Sequence, residues 1–283
     1  MSTIDVLWLA HLNRNIDDAG SDSTINLTIN VDGEDVLDHD YGSNVGDGEA
    51  YINGGSQLET PFDSGALTNS SVRIGVRDDD AWAPGDVLVF GQSMAEFQSG
   101  GVAVPLVMET GLTDFLSTDP SEGPLTIPLR RVDPGTSNTV IRRVLLLVDT
   151  QWSGGGIIPG GGDTGTDSAV QLEVFAGENL VLREEIDDTS QPDLEKGTSN
   201  WYVMDAPVPF TRGEVQAGGR IVLSILGDDA WKPLWLFVFG LDAASGRPNQ
   251  VVSLVSLPIW GPRWMSTDTS EGDPSVDLPV TPG

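Results

Sequence analysis

Asp79-Asp80-Ala81-Trp82-Ala83-Pro84-Gly85-Asp86-Val87-Leu88-Val89-Phe90-Gly91 returns 149 residues later as Asp228-Asp229-Ala230-Trp231-Lys232-Pro233-Leu234-Trp235-Leu236-Phe237-Val238-Phe239-Gly240. Downstream, Ser117-Thr118-Asp119-Pro120-Ser121-Glu122-Gly123 returns in the same register as Ser266-Thr267-Asp268-Thr269-Ser270-Glu271-Gly272. Two separated blocks in one register indicate a duplicated domain rather than a chance motif. A period of about 150 residues is the length of a whole domain and too long for a solenoid unit. Each copy sets adjacent carboxylates beside a tryptophan.

The segments around the two turns read as strands. Thr24 to Val31 and Ala169 to Phe175 alternate apolar and polar residues, as do Val72 to Val76 and Ile221 to Ile225 before each acidic turn. Val87 to Phe90 and Leu236 to Phe239 follow the turns as short buried strands, Val102 to Met108 matches Val251 to Leu257, and Ile4 to Leu9 matches Val144 to Val148. The Gly-rich stretch Ser153 to Gly165 is an insertion of the second half. Many short strands divided by turns, without amphipathic helices, specify an all-β chain of two tandem antiparallel β-sandwich domains related by internal duplication. The first sandwich is expected over residues 1–132, a linker over 133–139 and the second sandwich over 140–283. The Pro-rich tail, Asp273 to Gly283, is expected to be partly disordered.

Composition narrows the function. With 14 Lys+Arg against 43 Asp+Glu the formal net charge is −29, which disfavours nucleic acid and anionic lipid, both of which need basic side chains to neutralise phosphate. The same charge also serves solubility, or life at high salt. Cysteine is absent and histidine occurs only as His11 and His39, so thiolate chemistry is excluded and a zinc site or His-based triad has little material. Both histidines are expected on solvated loops. No run approaches the ~20 apolar residues of a spanning helix. The N-terminus lacks a positive n-region and meets Asp5 and His11 early, so the expected location is cytoplasmic, or outside by a route without a Sec signal peptide.

The second half resembles a PLAT domain, the β-sandwich found in lipoxygenases, some lipases and polycystin-type proteins. The resemblance spans roughly Arg142 to Pro279 and rests on Gln151-Trp152, Gly165-Thr166-Asp167, Asp193-Leu194-Glu195-Lys196-Gly197, Gly227-Asp228-Asp229-Ala230-Trp231 and Arg263-Trp264, in that order. The first half is a more divergent copy. It keeps Asp22, Asp47-Gly48-Glu49 and Asp79-Asp80-Ala81-Trp82, but has Asp114-Phe115 in place of Arg-Trp and no partner for Trp152.

Calcium takes six to eight oxygen ligands, mostly carboxylates and carbonyls on loops. In PLAT domains that bind it, the ligands come from the loop before the second strand, the Asp-x-Glu loop and the acidic turn. Carried over by position, the resemblance nominates Asp167, Asp193, Glu195 and Asp229 in the second half, and Asp22, Asp47, Glu49 and Asp80 in the first. Asp228 and Asp79 are alternates to their neighbours. The competing reading is that these carboxylates cap turns by accepting backbone N–H groups.

Trp82 and Trp231 are expected to plug the rim of each core, with Trp235, Trp260 and Trp264 inside it. Trp152, flanked by Gly and Ser, either packs or contacts lipid or a protein partner. No carboxylate pair has partners that would tune its pKa and no nucleophile elbow is present, so the chain reads as non-enzymatic. The expected function is a calcium-assisted interaction protein, with a protein partner or self-assembly ahead of lipid. The rival is a structural subunit of a filament, injection apparatus or virus-like particle, assembled through strand edges.

Overall fold

The computed structural model describes residues 2–17, 19–42, 46–150, 164–186, 194–260 and 264–282. The chain is all-β, with sheets packed as sandwiches. It divides into two compact units: unit 1 is Met1–Ser99, Ala103–Pro134 and Ser245–Asn249, and unit 2 is Gly100–Val102, Gly135–Ala244 and Gln250–Gly283.

Unit 1 runs β1 (Thr3–Asn13), β2 (Ile25–Val31), β3 (Glu34–Tyr41), β4 (Ala50–Asp63), β5 (Ser71–Val76), β6 (Pro84–Gln92), α1 (Met94–Ser99), β7 (Val104–Glu109), β8 (Thr126–Leu129) and β9 (Asp133–Pro134). Unit 2 runs β10 (Val140–Thr150), β11 (Val170–Ala176), β12 (Asn179–Ile186), β13 (Ser199–Thr211), α2 (Arg212–Gln216), β14 (Arg220–Ile225), β15 (Ala230–Trp231), β16 (Pro233–Leu241), β17 (Gln250–Leu257), β18 (Trp264–Ser266), β19 (Gly272–Asp273) and β20 (Ser275–Leu278).

Strand order is the same in the two units. Unit 1 has β4-β1-β6-β7 in one sheet and β3-β2-β5-β8 in the other; unit 2 has β13-β10-β16-β17 and β12-β11-β14-β20. β11 shows why the sheets face each other. Its sequence VQLEVFA alternates strictly, burying Val170, Leu172, Val174 and Ala176, because successive side chains point to opposite faces. Those residues join Val144, Leu146 and Val148 of β10 and Leu236 and Val238 of β16 in one apolar core. Each such side chain fully buried stabilises the fold by about 1.5–3 kcal/mol.

Proline fixes one irregularity in both units. Pro84 and Pro233 open β6 and β16, where they have no N–H to give the ladder. The register slips there, between Leu12 and Asn13 in β1 and between Asp149 and Thr150 in β10. Such a bulge re-aims a side chain. Asn13 Oδ1 accepts the Trp82 Nε1–H at 2.8 Å, and Thr150 Oγ1 accepts that of Trp231 at 3.1 Å. Both tryptophans are fully buried, as expected of rim plugs.

Three expectations are corrected. His11 is not on a solvated loop: it lies in β1 and is fully buried. His39 is exposed but sits on β3. The tail is ordered through Pro282, since Ser275–Leu278 pairs with β14, Leu278 is buried and Val280 bridges Val255. Its prolines flank an edge strand, where a missing N–H costs nothing. Trp235, Trp260 and Trp264 are half-buried rather than core.

Candidate functional site

Four loops of unit 1 meet around an open cleft of about 910 Å³ lined by Asp17, Asp22, Asp47, Asp79, Asp80 and Glu122, with Phe115 at one side. The carboxylates come from the connection after β1, the turn before β4, the acidic turn before β6 and the repeated Ser-Thr-Asp-x-Ser-Glu-Gly segment. All six are exposed.

Hydrogen bonds show what the repeated residues do locally. Asp80 Oδ2 accepts the Asp22 N–H at 2.8 Å, while the Ser23 hydroxyl accepts the Asp80 N–H at 3.0 Å. In unit 2, Asp229 Oδ2 accepts the Asp167 N–H at 3.1 Å and Ser168 Oγ accepts the Asp229 N–H at 3.2 Å. The acidic turn is thereby tied to the loop before the second strand in both units. Each carboxylate has about four lone-pair sites, so one N–H leaves acceptor capacity for a further donor or a cation.

The second repeated phrase is a self-capped turn. Asp119 Oδ1 accepts the Ser121 N–H at 2.8 Å and Ser117 Oγ donates to Glu122 Oε2 at 2.9 Å; Asp268 with Ser270, and Ser266 with Glu271, do the same at 2.9 and 3.3 Å. Hydrogen bonds from Ser121 and Ser270 hold the Asp119 and Asp268 carboxyls below the usual range. The closing glycine is required by space, because a Cβ at Gly123 would lie 1.9 Å from Phe115 O, and one at Gly272 would lie 2.1 Å from Trp264 O.

The nominated residues are brought together unequally. Asp22, Asp47, Asp79 and Asp80 all line the unit 1 cleft. Glu49 turns back instead, accepting the Gly46 N–H at 3.2 Å and the Tyr51 hydroxyl. In unit 2 a smaller cleft of about 490 Å³ is lined by Gly165, Thr166, Asp167, Glu195, Lys196 and Asp229. Asp228 is exposed beside it and is not among its lining residues, while Asp193 and Trp152 lie outside the described residues. Sequence reasoning did not single out Asp17, Glu122 or Phe115. The recurrence of Glu122 as Glu271 was the available signal for one of them.

Backbone register also realigns the two Asp-x-Glu segments. Asn13 N–H donates to Glu49 O at 2.9 Å and Thr150 N–H to Thr198 O at 2.9 Å, so Glu49 stands level with Thr198. Leu12 opposite Ala50, and Asp149 opposite Ser199, carry the same register into β4 and β13. Asp47 therefore stands level with Lys196, not with Asp193. The unit 1 cleft gains a carboxylate where the unit 2 cleft has an ammonium.

Among the described residues, no group of three or more His, Asp or Glu side chains is gathered closely enough to hold a metal ion. The unit 1 cleft carries carboxylate oxygens from four loops, the donor type that calcium takes, at a spacing wider than a metal ion needs. No family model, curated protein or solved structure matches the chain.

Proposed function

We propose that this chain is a non-enzymatic interaction protein made of two duplicated PLAT-like sandwiches, whose loop end in unit 1 takes up calcium and thereby presents an ordered surface to a protein partner. The observation that supports it is the convergence of Asp22, Asp47, Asp79 and Asp80 on one open cleft without a basic side chain among its lining residues. A divalent cation takes carboxylate oxygens from several loops at once and would bridge these four residues as the loops draw in. Lys196 works against the same role in the second unit, which makes unit 1 the preferred site.

Calcium titration by calorimetry tests the reading. One saturable site that disappears in the double variant Asp22→Asn/Asp79→Asn, with the unit 2 variant Asp167→Asn unaffected, is the expected result. No heat at millimolar calcium would remove calcium from the proposal. Pull-down of a partner that depends on calcium and on the same two aspartates is the second step.

A further inference from the structure

His11 is a fully buried titratable group in a chain with only two histidines, and it sits behind the cleft rather than in it. Its ring stacks on Tyr51 at 5.3 Å and meets the edge of Trp82 at 5.1 Å. Asn13 organises the cluster. Its Nδ2 donates to Gly46 O at 2.7 Å, which fixes the amide, and its Oδ1 accepts from Trp82 Nε1 at 2.8 Å. An amide oxygen can only accept, so His11 Nδ1, 3.1 Å from the same Oδ1, carries the proton. Nε2 is then a bare lone pair, buried and without a hydrogen-bond partner among the described residues.

A second proton would place a donor and a charge at Nε2. The groups facing the ring offer no counter-charge. From β4 there is Tyr51, whose hydroxyl is already given to Glu49; from the acidic turn there is Trp82; from β6 the residue in register is Val87. Arg14, the first residue past β1, is turned to Phe115 and the Thr113 carbonyl. Burial accordingly pushes the His11 pKa down to about 4. The turn Gly46 to Glu49, which carries the Asp47 and Glu49 carboxylates, is held by the Asn13 bond to Gly46 and by the Gly48 N–H to Arg14 O at 3.0 Å.

We propose that His11, Asn13 and Trp82 form an acid-sensitive latch that holds the Asp47 turn against unit 1 while His11 is neutral and releases it when His11 is protonated. Release would carry Asp47 out of the cleft wall. The device belongs to unit 1 alone, because the register equivalents of His11, Asn13 and Tyr51 are Val148, Thr150 and Asn200. It does not depend on calcium binding.

Amide hydrogen exchange of the full chain in chelator, at pH 6.5 and pH 4.5, tests it. Neutral His11 is favoured only in the closed state, so after correction for intrinsic rates opening at Asn13, Gly46 and Gly48 should rise on the order of 30-fold across this interval. His11→Val and His11→Gln should each flatten that rise to under about threefold, while Thr150 and Gly197 stay unchanged in all three proteins. An equal rise in both variants would assign the opening to carboxylate protonation and overturn the latch. So would no rise in the wild type. Imidazole nitrogen shifts of the wild-type protein give a readout independent of the variants: the Nδ1–H tautomer at pH 7 is expected, and the Nε2–H tautomer would contradict the geometry.

Discussion

The Asp22 backbone N–H donates to Asp80 Oδ2 at 2.8 Å, joining the loop before β2 to the acidic turn before β6. The pair is exposed, yet it fixes the spacing of two of the four loops that carry cleft carboxylates. A carboxylate accepting a backbone N–H contributes more than a neutral acceptor, since one partner is ionised. Asp80→Ala should lower stability by about 1–2 kcal/mol, and Asp80→Asn, which keeps an acceptor oxygen, by less than half of that. Denaturant melts of the two variants check the order.

The buried bond from Trp82 Nε1 to Asn13 Oδ1 predicts a larger effect. Asn13→Ala would leave the indole N–H without its acceptor and break the bond to Gly46 as well. A loss of about 2–4 kcal/mol is expected. Asn13→Thr, which copies the arrangement at Thr150, should recover part of it. Thermal unfolding of both variants decides, and equal losses would show that the hydroxyl cannot reach Trp82 here.

Asp149 predicts an unusual pH dependence for unit 2. Burial lifts its carboxyl to about 7, opposed by a hydrogen bond from Ser199 Oγ at 2.7 Å. The folded chain therefore holds this proton more tightly than the unfolded chain, in which the group titrates near pH 4. Between about pH 4 and 7 the unfolded state binds fewer protons, so this residue's contribution falls as pH rises and is most unfavourable above 7. Asp149→Asn should raise stability at pH 8 by roughly 2–4 kcal/mol and leave it nearly unchanged at pH 4. Calorimetric melts at the two pH values provide the check.

Much of this was legible in the sequence because strand periodicity is strong where a face is buried. TINLTINV and AVQLEVF alternate, and the structure makes strands of both. β3 was not legible. Half of its sequence EDVLDHDY is carboxylate, and on this edge strand only Leu37 and Tyr41 are buried, too few to write a clear alternation. β4 was hidden because Gly54, Gly55 and Pro61 break up its buried apolar positions Ala50, Ile52, Leu58 and Phe62. The acidic turns and their tryptophans could be placed from repetition alone. Asp47 stands level with Lys196 at the same 149-residue offset as the acidic turns, but the likeness of Asp47-Gly48-Glu49 to Asp193-Leu194-Glu195 pointed elsewhere until the strand register decided between them. His11 misled because a lone polar residue in an apolar run reads as an interruption, when here Asn13, Tyr51 and Trp82 close around it.

The tail gives a further prediction. Thr281 N–H donates to Leu254 O at 2.8 Å, Thr281 Oγ1 to Ser253 O at 2.8 Å, and Gln216 Nε2 to Thr281 O at 2.8 Å. Deleting residues from 274 onward removes β20 and these bonds, leaving β14 as an open edge. The truncated chain should melt at least 5 °C lower and aggregate on heating. An unchanged melting temperature would mean that the tail covers the edge without stabilising it.

Calcium binding in the proposed unit 1 cleft is tested most directly by the melting temperature in calcium against chelator, for the wild type and Asp22→Asn/Asp79→Asn. With the ion at about 100 times its dissociation constant, binding to the folded state alone adds about 2.7 kcal/mol. A rise of several degrees in the wild type, absent from the double variant, is predicted. An equal rise in both proteins, or none in either, would contradict it and leave these aspartates as caps of their own loops.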